Sequence, residues 1–296
     1  MTILDLLQQD RILFLSAVGI FSLLIGSFLN VVIHRIPIML NQGWRHDCLE
    51  FLSENNPNTP ETNNAAVQKY TLVAPRSACP SCGHMITAVE NIPVLSYLFL
   101  GGKCSQCKTK ISLRYPFVEI LCAILSVTVA WYYGVSIQTI VALLLTWNLL
   151  ALSFIDYDHK LLPDQMTLPF IWLGLLINMQ GLFTDLQSAV IGASVGYLSL
   201  WSIYHVFKII TKKEGMGYGD FKLLAVFGAW LGWQALPTII IFSSVAGAIV
   251  GISLIVLKLQ DKSKPIPFGP FLAIAGWIAM LWNDEIIGYY LMVNKF

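Results

Sequence analysis

Three stretches of this chain run for more than twenty residues without one charged side chain: Ile12–Ile33 (22 residues), Val135–Ile155 (21) and Pro237–Leu257 (21). About 20 apolar residues span a bilayer as a helix, so each run is long enough to cross. Composition agrees, because 56% of the 296 residues are hydrophobic and 12% are charged, against about 25% charged in a soluble domain. A hydrophobic core does not explain this deficit, since a soluble protein must still coat its surface. Lipid replaces water around most of the chain. The formal charge of +1 offers no bulk attraction for nucleic acid, which is excluded as a partner.

Weaker or mixed apolar segments are Tyr115–Tyr133, Met166–Phe183, Leu186–Phe207, Leu223–Leu236 and Ile266–Trp282, which makes eight helices in all. The expected fold is an all-α polytopic membrane protein with about eight transmembrane helices and a small zinc-binding insert. The first run is too long for a signal-peptide core and lacks a small-residue cleavage site, so a retained anchor is expected. Threading eight helices puts loops 34–114, 156–165, 208–222 and 258–265 on one side. Those loops hold 16 of the 18 Lys and Arg residues; only Arg11 and Lys295 lie opposite. The positive-inside rule assigns the rich side to the cytoplasm and turns both termini outward. Residues 1–33 then form the first span, 34–114 a cytoplasmic insert and 115–296 a membrane domain.

Within the insert, Ser53–Asn64 is turn- and disorder-prone in composition. The part after Val73 carries Cys79-Pro-Ser-Cys82 and Cys104-Ser-Gln-Cys107, two C-x-x-C pairs separated by 21 residues. That spacing predicts two knuckles whose four thiolates close a tetrahedron around Zn2+. Two disulfides are the competing reading, disfavoured in a reducing compartment. Four protein ligands leave no open position, so the zinc is expected to be structural. Cys48 and Cys122 follow no pattern.

Acidic residues gather at two places on the cytoplasmic side. One is Phe154–Asp164, where the third long run ends, with Asp156, Asp158, Lys160, Pro163 and Asp164. The other is Glu214–Lys222, with Gly217, Gly219, Asp220 and Lys222 at the start of the short sixth helix. Ionisable groups at a bilayer boundary are expensive and point to function. Two carboxyls close enough to share a proton hold an acid and a base together, as hydrolysis of a peptide bond requires. Glycines 215, 217 and 219 are expected to take positive φ and to let a substrate chain approach. A phosphate loop is excluded: the spacing misses G-x-G-x-x-G, no strand precedes it, and an adjacent Asp repels phosphate. From the residues alone, the first-loop partner of Asp220 stays open among Asp156, Asp158 and Asp164. The last two could instead cap the next helix or hold the loop through Lys160 and Lys222.

Gly215–Ala225 (GMGYGDFKLLA) and Ile155–Asp164 (IDYDHKLLPD) resemble the two active-site signatures of the type IV prepilin leader peptidases, GxGD-type aspartic proteases of the membrane. Gly26–Pro37 (GSFLNVVIHRIP), the cysteine pairs, Glu90–Tyr97 (ENIPVLSY), Arg114–Glu119 (RYPFVE) and Pro267–Ala273 (PFGPFLA) are similar as well. Only residues 38–72 are unlike a signature. The resemblance implies that the catalytic pair is Asp156, seven residues before Pro163, and the Asp220 of GxGD. It implies cleavage of type IV prepilins and type II secretion pseudopilins after a Gly that follows a short basic leader, at the bacterial inner membrane. It also implies N-methylation of the new terminus from S-adenosylmethionine, an activity associated with the cysteine-bearing region. Glu119 is the residue to watch there, either binding a substrate amine or pairing with Arg114; Gly102, Lys103 and Arg114 are weaker candidates. A transporter using Asp156, Asp158 and Asp220 as an ion path would need polar groups at mid-membrane, and Asn148 and Asn178 are among the few.

Overall fold

The computed structural model describes residues 3–55, 70–213, 215–257 and 266–293. They form two compact units, Met1–Thr128 and Val129–Phe296. Positions 56–64 of the turn-prone stretch and the lysine-bearing loop 258–265 lie outside the described residues.

In the first unit, α1 (Ile3–Gln9) leads into α2 (Arg11–Asn55). Oδ1 of Asp10 accepts the N–H groups of Ile12 and Leu13 at 2.9 and 3.0 Å, satisfying two donors that a helix start leaves open. At 1.5 Å per residue, the 45 residues of α2 extend about 68 Å, far beyond a hydrocarbon core of about 30 Å. The helix therefore continues past Ile33 and through Pro37 before it ends. The insert returns to it at Arg35, a buried guanidinium that donates to the carbonyls of Thr71, Leu72 and Pro75. Short α3 (Leu95–Phe99) follows the first cysteine pair, and α4 (Arg114–Tyr133) follows the second. α2 and α4 approach closely at Gly26, where a Cβ would lie 2.7 Å from Cα of Glu119.

The second unit is built around α8 (Tyr218–Leu231), in which every residue from Asp220 to Trp230 is buried except Lys222. Around it stand α5 (Ile137–His159), α6 (Asp164–Asn178), α7 (Leu186–Thr211), α9 (Leu236–Val256) and α10 (Gly269–Val293). Glycine sits at each principal contact with α8. A Cβ on Gly192 of α7 would be driven into the backbone at Gly228 and Gly232, one on Gly174 of α6 into the Trp230 ring, and one on Gly276 of α10 into Phe227. Small residues let helices in lipid approach to backbone contact, where dispersion and hydrogen bonding replace the hydrophobic drive. Asn178, at the end of α6, shows how polar ends are satisfied there. Its amide donates to the carbonyls of Ala229 and Trp230 at 2.9 Å and its oxygen accepts the N–H groups of Phe183 and Thr184. It thus closes a helix terminus, and Asn148 likewise donates to the Met166 carbonyl.

Among the described residues, six helices are long and apolar enough to cross a membrane: α2, α4, α5, α7, α9 and α10. The chain is a multi-pass membrane protein. The eight-crossing count is not reproduced. All eight expected segments are helical, but α6 has 15 residues and α8 has 14, about 22 and 21 Å. The segment expected to run from Leu223 to Leu236 breaks at Gly232, whose φ of +79° ends α8. α8, enclosed by protein, need not match the thickness of the lipid, whereas α6 keeps an exposed face with Trp172 and Leu176 and ends where Asn178 turns to the carbonyls of Ala229 and Trp230. α9 is the opposite case: it has the highest mean hydropathy of the six spans, 2.6, and only 17% of it is buried. Apolar side chains turned outward in this way need a lipid solvent.

Candidate active site and metal centre

α5 ends at Lys160, whose backbone adopts the left-handed conformation (φ 56°) and donates to the Asp156 carbonyl. This places Asp156 on the last full turn, buried to 6% exposure. Pro163 then fixes an extended entry into α6 (φ −61°, ψ 131°), the geometry its ring favours. On the other side Gly217 is the N-cap of α8, and Asp220 stands three residues on, buried to 7% exposure. An acidic residue at that position reaches back to the N-cap amide, and the Gly217 backbone is a hydrogen-bond partner of this carboxyl.

Asp156 and Asp220 line one cavity of about 350 Å³, together with Lys160, Leu162, Gly217 and Pro267. The two carboxyls repel each other electrostatically, and Lys160 attracts Asp156. Oδ2 of Asp156 accepts the backbone N–H of Gly269, the first residue of α10, at 3.0 Å. Position 269 has to be glycine for this, because a Cβ there would lie 2.7 Å from the same oxygen. Gly269 belongs to the PFGPF string, and nothing in its residue type signals a role, since the group it contributes is a main-chain amide.

The rival acids lie elsewhere. Asp158 is exposed. Asp164, at the start of α6, is bound by Nζ of Lys222 at 2.5 Å, so these two residues tie the α6 entry to the second turn of α8. Nζ of Lys160 also reaches the Tyr157 carbonyl at 3.3 Å. The expectation of positive φ at glycines 215, 217 and 219 is wrong: none of them is among the left-handed glycines. Their need is mainly steric. A Cβ on Gly219 would sit 2.6 Å from Cβ of Leu162 and one on Gly215 would sit 2.8 Å from the Phe207 ring, whereas Gly217 has ordinary room. The approach they allow is made by the chain's own loop and α7 ring.

In the insert, the Sγ atoms of Cys79, Cys82, Cys104 and Cys107 all lie within 4.8 Å of one another. The 79–107 and 82–104 pairs are 3.7 and 4.0 Å apart. Four thiolates about 2.3 Å from a tetrahedral ion stand about 3.8 Å from each other, so the cluster could hold one metal ion. The knuckles repeat the same backbone. The first cysteine donates to the carbonyl five residues on (His84, Thr109), the residue after the second cysteine has positive φ (Gly83, Lys108), and antiparallel bridges close each (Ala78 with Met85, Lys103 with Lys110). Hydrogen bonds from Thr109 hold the Cys107 thiol down at about 6, whereas, against a hydrogen bond from the His84 backbone, burial and the neighbouring thiols push that of Cys82 up to about 12. Glu90 joins the two halves. It takes hydrogen bonds from Ser105 of the second knuckle, from the Thr87 amide and hydroxyl and from His84 of the first, and these hold it at about 2. Sequence reasoning assigned Glu90 no role, although it opens the ENIPVLSY string.

Of the methyltransfer candidates, Glu119 is buried and its Oε2 accepts the Val94 N–H at 2.8 Å, with Ser27 as a second partner. Gly102 has φ of +67° and lies under Tyr97, whose hydroxyl would be 2.7 Å from an added Cβ. Lys103 is exposed and Arg114 opens α4. Glu119 and Gly102 are thus both engaged inside the chain.

Residues 20–133 match the Bacterial Peptidase A24 N-terminal domain, and residues 143–252 match the Type IV leader peptidase family. The chain is 58% identical over 279 residues to the prepilin leader peptidase/N-methyltransferase of Aeromonas salmonicida (strain A449), covering 94% of each. It is 53% identical over 296 residues to that of Pseudomonas aeruginosa, covering all of both, and 48% identical to that of Legionella pneumophila, covering 93% of each. No solved structure matches. With matched domains on both halves and relatives of this identity along nearly its whole length, the chain belongs to the type IV leader peptidase family.

Proposed function

We propose that this protein is a prepilin leader peptidase and N-methyltransferase of the bacterial inner membrane. It removes the short basic leader of type IV prepilins and type II secretion pseudopilins after a Gly at the cytoplasmic face, and then methylates the new terminal amine. The observation that carries the reading is the buried pair, Asp156 and Asp220, lining one cavity from two different helices.

Two such carboxyls share a proton because both cannot ionise side by side. The ionised member takes a proton from a water whose oxygen attacks the scissile carbonyl carbon, and the protonated member gives its proton to the forming oxyanion. Collapse breaks the C–N bond as the first aspartate passes its new proton to the amide nitrogen and the second takes a proton back from the diol hydroxyl, which becomes the carbonyl of the new carboxyl end and leaves the pair again holding one proton. The Gly269 amide fixes one oxygen of Asp156 and leaves the other for the water. A prepilin keeps its apolar helix in the bilayer and its basic leader outside, so the scissile bond lies near the interface. There an unwound backbone can be reached, which an intact helix would hide. Lys222 and Asp164 act as a positioning tie between the two acid-bearing loops. In the insert, residues 34–114, Cys79, Cys82, Cys104 and Cys107 hold a structural Zn2+ that supplies folding energy and no open coordination position. Methyl transfer from S-adenosylmethionine rests on the names of the relatives, and no step through it is derived.

Purified enzyme incubated with a prepilin tests the reading. Asp156→Asn and Asp220→Asn should each lower leader removal by at least about 10³-fold, while the mature pilin from the native enzyme carries a methylated N-terminus by mass spectrometry. Near-native cleavage by either Asn variant would overturn the pair.

A further inference from the structure

The insert carries an apolar ridge that the peptidase reading does not use. On α3, Leu95, Leu98 and Phe99 are 52%, 67% and 86% exposed. Their i, i+3, i+4 spacing puts them on one helix face, while Tyr97 points inward to Gly102 and the Ile111 carbonyl. Leu113, just before α4, is 71% exposed. Four large side chains turned outward on a polar insert imply a partner.

The level of α3 along the chain says which one. Its N-terminal neighbour Val94 donates to Glu119 in the second turn of α4, and beyond its C-terminus Gly102 accepts from Ile111, three residues before α4 starts. α3 is therefore bracketed against the first turns of a helix apolar enough to cross a membrane, within about 8 Å of its start along the axis. Charge agrees. Asn91 to Val118 contains four basic residues and no acidic one. Lys103 and Lys110, both exposed, face each other across an antiparallel bridge, where like charges directly opposite are destabilising unless an anionic partner covers them.

We propose that the α3 ridge and the Lys103–Lys110 pair form a membrane-seating surface, with Leu95, Leu98 and Phe99 in the acyl boundary and the two lysines on anionic headgroups. Amphipathic segments bind bilayers through this combination of buried apolar side chains and basic residues. The surface holds the metal-bearing insert down on the bilayer. The inference rests on α4 crossing the membrane and is independent of which residues catalyse.

The test places an environment-sensitive fluorescent amino acid at position 99 of the full-length protein in nanodiscs. The lipid is phosphatidylcholine, alone or with one part in three phosphatidylglycerol (both chosen for the assay), and metal content and leader removal verify the fold. The expected result is blue-shifted emission, quenching by lipids brominated high on the acyl chain and protection from aqueous iodide. The shift should be larger with phosphatidylglycerol, a difference that Lys103→Gln with Lys110→Gln should abolish. Quenching by iodide without quenching by brominated lipid overturns the proposal, even where leader removal persists. So does protection from both, which would mean a protein cover such as a second copy. A lipid response unchanged by the double Lys variant removes the headgroup part. If the probe at 99 disturbs the metal site, the same measurement at position 98 decides.

Discussion

A methyl group at position 269 would stand 2.7 Å from the carboxyl oxygen of Asp156 that the Gly269 amide now binds at 3.0 Å. Gly269→Ala must push either the α10 entry or the carboxyl away, and displacement of a reacting group by about 1 Å can lower a rate about 10²-fold. Leader removal should fall by about that factor while the purified variant melts at nearly the native temperature. Native activity would show that the amide contact is incidental. Asp156, Asp220 and the four cysteines are legible in the sequence because each is a chemically distinctive side chain set in a spaced string. Gly269 is not, since its contribution is a backbone N–H and its spacing from Asp156, 113 residues, encodes no proximity. The glycines of the GMGYGD string are legible as glycines, but their reason is not. It lies in Leu162 and Phe207, which only the folded chain brings to them.

At the level of elements, α7 and α8 meet through paired glycines. A Cβ on Gly192 would lie 2.8 Å from the carbonyl carbon of Gly232 and from the amide of Trp233, and backbone there cannot swing aside. Gly192→Ala should therefore destabilise the protein by roughly 1–3 kcal/mol, as overpacking does. Thermal unfolding in detergent would measure this, and an unchanged melting temperature would refute the close contact. In the insert, Glu90 bonds to His84 of one knuckle and Ser105 of the other. It touches none of the four cysteines, and its effect on them runs through the knuckle backbones that it joins. In protein loaded with the proposed zinc, Glu90→Gln should release the metal to a competing chelator at lower concentration than the native chain does, with the four thiols still reactive as a set once freed. Helix identity is legible wherever an apolar run is long. The ends of α6 and α8 are less so, because Asn178 and Gly232 set them through contacts and a backbone conformation that hydrophobicity does not report.

For the whole molecule, threading all eight helical segments through the bilayer puts 16 of 18 basic residues on four loops of one side, which we propose faces the cytoplasm. A single reactive cysteine introduced at Lys213, in a variant in which the exposed Cys48 is replaced and the four clustered cysteines are kept, should be labelled by an impermeant reagent only in inverted membrane vesicles. One at Gly181, between α6 and α7, should be labelled only from the opposite side. The reverse pattern would invert the orientation and move the prepilin leader away from Asp156 and Asp220. The contrast between α8 and α9 has one more consequence. Sequence drift in a protein follows the freedom of each position to change its neighbours. α9, which faces outward along most of its length, can exchange one aliphatic residue for another almost anywhere. α8 is hemmed in by three helices at glycine contacts, and nearly every position in it answers to a specific partner. Variant libraries should find the short helix the least permissive segment of the second unit, well beyond the acid it carries.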